Sequence, residues 1–492
     1  MTLDTIVTSA RRIERHRDWP RFAVGADAWQ EAAGLLARDE LTLLSVWGET
    51  DRVHMALLQA ESPRVVVLSL ECPDHRYPSI GAVHPAAIRL ERAMRDLFKL
   101  DPVGLRDIRP WLNHGRWTDE PPPAYGFLPV EGEGLHQIPV GPVHAGIIEP
   151  GHFRFTADGE TIVRLEQRLG YVHKGIDTLL HGATLPHALR IAGRTSGDST
   201  VAYAFGFCRA VEAALNITAP PRGAALRGVM AEMERIANHV GDFGAVCNDA
   251  AFSLMMAHCA VLREEVLRCA DACFGHRLMM DRIAVGGVNA DLDGIGISRI
   301  RHLIALLRAR LPPLVTLFEE TASLQDRTVG AGIVHRDLAC RFGAGGYVGR
   351  ASGRDFDTRR DLAYPPYDGL QFTVPMLPEG DVNARIWIRI REVEQSLSML
   401  EQLLASLPAG VACTPVEDMS SGSGEGIALI EAFRGDVLVW LRINDGRIER
   451  CHLRDASWFQ WPLLEAAIEG NIVADFPLCN KSFNCSYSGH DL

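Results

Sequence analysis

The chain has 492 residues, enough for about two or three domains, and its 47% hydrophobic and 23% charged residues are typical of a globular protein. Its 50 Lys and Arg against 62 Asp and Glu give a net charge of −12. This acidic balance argues against a nucleic-acid-binding protein, because such proteins present a basic surface to phosphate.

The 11 cysteines are an odd number and include no Cys-x-x-Cys, which predicts reduced thiols in a cytosolic compartment and not a disulfide framework. Cys269 and Cys273 share one face of a predicted helix, and we expect them to pack in the core as small buried side chains. The most apolar stretch, residues 250–262, is too short to span a bilayer. No apolar segment follows Arg11 and Arg12, so we expect no signal peptide, and membrane contact only through partner subunits.

Residues 1–112 are predicted to form a small α/β domain. Val65–Leu70 is a β-branched run typical of a strand, and residues 85–100 have the apolar spacing of a helix. Residues 113–140 contain three consecutive prolines and several glycines without periodicity, which predicts a linker.

Residues 141–492 are predicted to form a second, larger domain. It begins with a hairpin over residues 153–165 and ends with strands on either side of Asn444-Asp445-Gly446. Between them, helical periodicity predicts long helices over approximately 177–216, 224–250, 254–283, 296–325 and 384–406. The predicted fold class is therefore α+β: a small N-terminal α/β domain followed by a large, mainly helical bundle domain with flanking β-hairpins.

Several motifs then point to one family. Residues 84–98 resemble the signature of the small peripheral-arm subunit of complex I, which is often fused to the large one. Gly141-Pro-Val-His144 and Gly170-Tyr-Val-His173-Lys-Gly resemble loops of the large quinone-site subunit. Further segments resemble that subunit in the same order: residues 227–239, 286–288, 350–357, 380–385 and 425–435. The chain thus resembles the complex I and energy-converting membrane-bound [NiFe]-hydrogenase family, of the formate hydrogenlyase and hydrogenase-4 type. The resemblance implies a [NiFe]-hydrogenase large-subunit-like fold for residues 141–492.

In the hydrogenase branch of this family, two Cys-x-x-Cys pairs hold nickel and iron. The resemblance places the first pair at Ser196 and Ser199 and the second at Cys485 and Ser488. Nickel in such sites needs soft thiolate ligands, and a serine hydroxyl stays protonated and binds weakly. Cys479 could replace one ligand at most. We therefore expect a degenerate site without metal, and no hydrogenase activity of this chain itself.

The quinone-site pattern of complex I is only half present. The resemblance places its second His at Ile148 and its Tyr at Gly197, although Asp249 matches an Asp of that site. The candidates for a cavity or a proton relay are His144, His173, Asp198, Asp249, Arg350 and Asp357. Simpler interpretations stay open: His173 bonds a backbone group, Arg350 and Asp357 form an ion pair that fixes a loop, and the serines cap the following helix.

The resemblance implies a core peripheral-arm subunit of a membrane-bound, ion-translocating redox complex, on the cytoplasmic side of the inner membrane. The implied partners are a [4Fe–4S] small subunit, a ferredoxin-like subunit and antiporter-like membrane subunits. Fe–S clusters are expected in these partners and no cofactor in this chain, although quinone is possible. Three alternatives stay open: a genuine [NiFe]-hydrogenase large subunit with atypical ligation, a quinone-reducing subunit, and a non-catalytic coupling subunit.

Overall fold

The computed structural model describes residues 2–60, 63–115, 117, 125–144, 148–414 and 421–492. Its first helices and strands are α1 (Leu3–Ser9), β1 (Arg11–Arg12), β2 (His16–Arg17), β3 (Arg21–Val24), α2 (Ala26–Ala37), β4 (Thr42–Gly48), β5 (Arg52–Gln59), β6 (Arg64–Glu71), β7 (Arg76–Pro78), α3 (Ile88–Phe98) and β8 (Asp101–Val103). A five-stranded sheet has the order β1-β3-β6-β5-β4, with β6 parallel to β3 and antiparallel to β5. The predicted strand at Val65–Leu70 and the predicted helix within 85–100 are confirmed as β6 and α3.

The middle part of the chain contains β9 (Leu135–Val140), β10 (His152–Asp158), β11 (Thr161–Arg168), α4 (Ile176–Leu180), α5 (Leu185–Ala192), α6 (Thr200–Leu215), α7 (Pro221–Asp249), α8 (Ser253–Phe274), β12 (Ile283–Ala284), β13 (Gly287–Val288), α9 (Gly294–Glu320), α10 (Ala322–Thr328), α11 (Arg336–Arg341), α12 (Gly346–Ala351), α13 (Thr358–Asp361) and α14 (Val382–Ala405). The predicted hairpin is confirmed as β10 and β11. Within the range predicted as a linker, β9 pairs antiparallel with β10 and completes a three-stranded sheet. Helix α7 packs against α8 and α14 at the centre of the bundle.

The C-terminal part contains β14 (Gly424–Ala432), β15 (Gly435–Asn444), β16 (Arg447–Arg454), α15 (Ser457–Ala467), α16 (Phe476–Phe483) and α17 (Tyr487–Asp491). Its antiparallel strands confirm the hairpin predicted around Asp445-Gly446. Strand β2 from the N-terminal part pairs parallel with β14 and completes a four-stranded sheet. Helix α6 lies on this sheet so closely that a side chain at Gly426 would collide with the carbonyl oxygen of Ala210.

The N-terminal and C-terminal sheets share a small apolar core. Trp47 from β4 and Trp440 from β15 lie in it with ring centroids 5.5 Å apart. The ring of His452 from β16 stacks on Trp47 at 5.1 Å. Strands β4, β5 and β6 are buried at nearly every position, because α2 and α3 cover their other face.

Three predicted helix spans are wrong, and one of them, 296–325, is divided at Thr321 into α9 and α10. The span 177–216 is not one helix but α4, α5 and α6: Pro186 lies in the first turn of α5, and the chain leaves the helical path after Gly193. The span 254–283 ends at Phe274, because Gly275 takes the left-handed conformation with φ of 72°. The break after Gly193 matters for function, since it creates the loop that carries Ser196.

Candidate functional site

Two loops that lie far apart in the chain meet at a pair of serine hydroxyls. The first loop follows α5 and carries Ser196, and the second joins α16 to α17 and carries Ser486. The hydroxyl oxygens of Ser196 and Ser486 are 3.0 Å apart and both residues are buried. The Ser486 hydroxyl also accepts a hydrogen bond from the backbone N–H of Gly489 at 2.9 Å, so it caps α17.

Asp198 and Arg434 form the charged half of the same contact. Ser196 donates to Oδ1 of Asp198 at 2.8 Å. Arg434, in the tight turn between β14 and β15, donates Nη1 and Nη2 to the two carboxylate oxygens of Asp198 at 2.8 and 2.6 Å. Desolvation would raise the pKa of Asp198, but the Arg434 guanidinium outweighs it and lowers the pKa to about 2. The carboxylate is therefore ionised at neutral pH.

Asn484 connects this contact to α7. Its carbonyl oxygen accepts from Nε of Arg434, and its side-chain amide donates to both carboxylate oxygens of Asp242 at 2.9 Å. Arg434 also donates to the Ser199 hydroxyl at 3.3 Å. We call this hydrogen-bonded group the serine cluster; it consists of Ser196, Asp198, Ser199, Arg434, Asn484 and Ser486.

The structure places Ser486 next to Ser196. The sequence pattern did not single out Ser486. The Cys485 sulfur lies 4.0 Å from the Gln460 side-chain oxygen, and burial raises the pKa of its thiol far above the ordinary value. The backbone N–H of Ser488 donates to Glu149 at 3.0 Å. A sequence signal for this contact is the i, i+3 spacing of Ser486 and Gly489, which is the same as the spacing of Ser196 and Ser199.

These residues do not fit a nickel–iron centre. The two facing side chains are hydroxyls, which are hard donors and are already hydrogen-bonded to each other. A Cβ at Gly489 would lie 2.7 Å from Oδ2 of Asp455 and 2.9 Å from the Ser486 hydroxyl, so no further ligand has room there. Burial raises the pKa of the Cys479 thiol to about 11, so it keeps its proton. Among the residues that the structure describes, no three His, Cys, Asp or Glu are grouped to hold a metal ion.

Three other predicted residues lie outside the serine cluster. His173 bonds the backbone carbonyl oxygen of Asp491 through Nδ1 at 2.7 Å, which matches the simpler interpretation of that residue. The His144 ring stacks on Phe153 at 5.3 Å, and burial lowers its pKa. Asp249 ends α7, and burial raises the pKa of its carboxyl.

Arg350 and Asp357 do come together, in a second and larger group of buried polar side chains. We call it the buried charge cluster; its members, each at most 2% exposed, are Glu232, Arg235, His239, Arg350, Asp357, Arg359, Glu392 and Glu431. Arg350 lies 2.6 Å from Glu392, 2.8 Å from Glu431 and 3.3 Å from Asp357. The ion pair between Arg350 and Asp357 that the sequence suggested is thus one of several contacts in this cluster.

The other contacts of the buried charge cluster run through α7. Arg359 from α13 pairs with Asp357 at 2.6 Å and with Glu232 at 3.1 Å. His239 bonds Glu392 through Nε2 at 2.7 Å. The sequence carried a signal for part of it, since Glu232, Arg235 and His239 recur on one face of α7. Glu392 and Glu431 gave no such signal, because each lies in an element that carries other charged residues and nothing in the sequence sets it apart from them.

The buried charge cluster has four carboxylates and three guanidinium groups, so it carries one excess negative charge unless it binds a proton. Burial raises the pKa of Glu431 to about 7, and the nearby Asp357 carboxylate adds to the effect. The pKa of Glu392 lies well below its usual value, because Arg350 and His239 outweigh its desolvation. Burial lowers the pKa of His239. Glu431 is therefore the carboxyl of this cluster whose pKa lies closest to neutral pH.

The comparisons with known proteins agree with this architecture. Residues 22–124 match the family model described as respiratory-chain NADH dehydrogenase, 30 Kd subunit, and residues 249–419 match the one described as its 49 Kd subunit. Together with the two sheets that share a core and with the central helical bundle, these matches define a large subunit of the complex I type.

The relatives narrow the class further. The chain is 31% identical to formate hydrogenlyase subunit 5 of Escherichia coli (strain K12), over 87% of this chain and 79% of that protein. It is 30% identical to hydrogenase-4 component G of the same organism, over 94% and 84%. It is 26% identical to a protein of Phocaeicola vulgatus that is named as part of an NADH-quinone oxidoreductase, over 87% and 86%. The chain belongs to the family of large subunits shared by energy-converting hydrogenases and complex I.

These relatives are named as parts of multisubunit enzymes. A further relative is named as part of a membrane-bound hydrogenase of Pyrococcus furiosus, and it is 30% identical over 71% of this chain and 85% of that protein. Within the described part of the chain, we find no helix with the length and hydropathy needed to cross a bilayer.

Proposed function

We propose that this chain is a core peripheral-arm subunit of a membrane-bound, ion-translocating redox complex, and that the position of the nickel–iron centre is closed by the serine cluster. The observation that carries the proposal is the 3.0 Å contact between the hydroxyls of Ser196 and Ser486, with the Asp198–Arg434 ion pair beside it. Side chains that bond each other across a former ligand position leave no donor free for a metal.

The chemistry of the remaining thiols supports the same conclusion. A metal ligand must be a thiolate, and the thiols of Cys479 and Cys485 both have raised pKa values because they are buried. Neither has a cation close enough to reverse that effect. The serine cluster is therefore proposed to hold the two loops together, so that the chain couples partner subunits without performing hydrogen chemistry.

The proposed partners are a small subunit with a [4Fe–4S] cluster, a ferredoxin-like subunit and antiporter-like membrane subunits. The proposed location is peripheral, on the cytoplasmic side of the inner membrane. The relatives support both proposals, because they are named as parts of multisubunit enzymes and one of those enzymes is named as membrane-bound. Quinone stays a proposed acceptor of the complex, and no cofactor is proposed in this chain.

The test is the nickel content of the intact complex, purified without oxygen together with its partners and measured per mole of this chain. A hydrogenase whose large subunit keeps four cysteine ligands, purified in parallel, controls for loss of metal. We expect clearly substoichiometric nickel, with iron explained by the Fe–S clusters of the partners. Stoichiometric nickel would overturn the proposal and favour a hydrogenase with atypical ligation.

A further inference from the structure

Two cysteines near the end of α8 form a pair of neighbouring thiols. The sulfur atoms of Cys269 and Cys273 are 4.0 Å apart, and both residues are half-buried. Cys273 is the penultimate residue of α8, which ends at Phe274. Most of the other cysteines are fully buried, so this pair is unusual in being both close together and partly accessible.

Cys273 lines an open cleft between the end of α8 and the start of α9. The cleft has a volume of about 520 Å³, and its lining includes Arg222, Asp293 and Arg299. Arg299 donates to the backbone carbonyl oxygen of Ala272 at 3.3 Å, which keeps its guanidinium beside the thiol. A small molecule with a carboxylate can therefore reach this sulfur and meet a cation there.

The two thiols are not equivalent. The pKa of Cys273 is lowered, because its hydrogen bond with the Cys269 thiol outweighs the effect of burial, and Arg299 lowers it further against the opposing effect of Asp293. The pKa of Cys269 is raised, mainly by the same hydrogen bond. Cys273 is thus the better nucleophile, and Cys269 is a protonated thiol placed next to it.

The geometry allows the two sulfurs to bond after a small movement. Residues four apart on a helix have Cβ atoms about 5–6 Å apart, whereas a disulfide needs about 3.8 Å. Closing that gap takes a shift of about 1–2 Å, and the last turn of a helix is the part that can move.

We propose that Cys273 is a site of thiol modification by small carboxylate-bearing disulfides such as glutathione disulfide, with Cys269 as the resolving thiol. The Cys273 thiolate attacks one sulfur of the small disulfide, forms a mixed disulfide and releases one thiolate. Cys269 then loses its proton and attacks the Cys273 sulfur. The protein disulfide forms, the second small thiol leaves with the proton, and the oxidant has been reduced to two thiols.

The experiment exposes the purified complex to glutathione disulfide and maps its cysteines by mass spectrometry over time. The wild-type chain should accumulate the Cys269–Cys273 disulfide. Cys269→Ser should stop at the mixed disulfide on Cys273, and Cys273→Ser should react about tenfold more slowly at this segment. Cys413→Ser is the matched control, since Cys413 is also half-buried and lines a different cleft.

A second measurement needs no variant. The rate at which iodoacetamide alkylates each cysteine of the wild-type complex should show Cys273 as faster than Cys413 and Cys340. Equal rates at these three residues, or no modification of Cys273 by glutathione disulfide, would overturn the proposal and leave the pair as packing. A mixed disulfide that persists in the wild-type chain would remove the resolving role of Cys269.

Discussion

Replacing Glu431 with Gln should remove a pH dependence from the stability of the protein. Glu431 accepts from Arg350 at 2.8 Å and from the backbone N–H of Thr358 at 3.0 Å, inside a cluster with more carboxylates than guanidinium groups. The neutral Gln has the charge of the protonated acid at every pH. The variant should therefore match the wild type in charge at low pH and differ from it above neutrality.

The size of the effect follows from the pKa of Glu431. The folded value is about 7 and the unfolded value is about 4.3. Because the folded pKa is the higher one, the stabilisation is fully present below the unfolded pKa and is lost as the pH rises through the folded pKa. At about 1.4 kcal/mol per pKa unit, roughly 2.5 kcal/mol should be lost between about pH 5 and pH 8.

The assay is urea unfolding of the wild type and the variant at a series of pH values, followed by tryptophan fluorescence. The difference between the free energies of unfolding of the wild type and the variant should change by roughly 2.5 kcal/mol between about pH 5 and pH 8. The altered hydrogen bonds add an offset that does not depend on pH. Glu425→Gln is the matched control, since Arg21 and Arg442 outweigh desolvation and lower the pKa of Glu425. The difference in free energy of unfolding between this variant and the wild type should therefore stay constant over the same pH range. A flat difference for Glu431→Gln would refute the reasoning.

Three further outcomes follow from the geometry. Arg434→Lys loses the bidentate bond to the partly exposed Asp198 and should lower the free energy of unfolding by about 1–2 kcal/mol, measured by urea unfolding. Ser196→Cys with Ser486→Cys should not restore stoichiometric nickel, measured on the purified complex, because two thiolates are half of the four cysteine ligands that hold the metals in the hydrogenase branch. Trp440→Ala should cost about 3–5 kcal/mol, seen as a lower urea midpoint with loss of near-ultraviolet dichroism, since it empties the core between the two sheets.

The sequence by itself determined the class of the protein and most of its regular elements. The apolar run at Val65–Leu70 became β6, and the long periodic segments became α7, α8, α9 and α14 with shifted ends. Such elements are predictable because periodicity and turn residues act over a few neighbours in the chain. The family motifs gave the resemblance that the relatives bear out.

The tertiary structure alone decided which polar residues meet. The sequence singled out Ser196 and Ser199, but the partner of Ser196 is Ser486, 290 residues away, and the adjacent Cys485 contacts Gln460. One residue of difference in register turns a side chain to another environment, which a short motif does not specify.

The buried charge cluster shows the same limit. Glu392 and Glu431 lie on a helix and a strand that meet only after the bundle has closed on the C-terminal sheet. The free energy of a buried charge depends on the sum of its surroundings, and these come from segments far apart in sequence. Local sequence therefore determines helices and strands, while the raised pKa of Glu431 and the closed serine cluster arise from long-range packing.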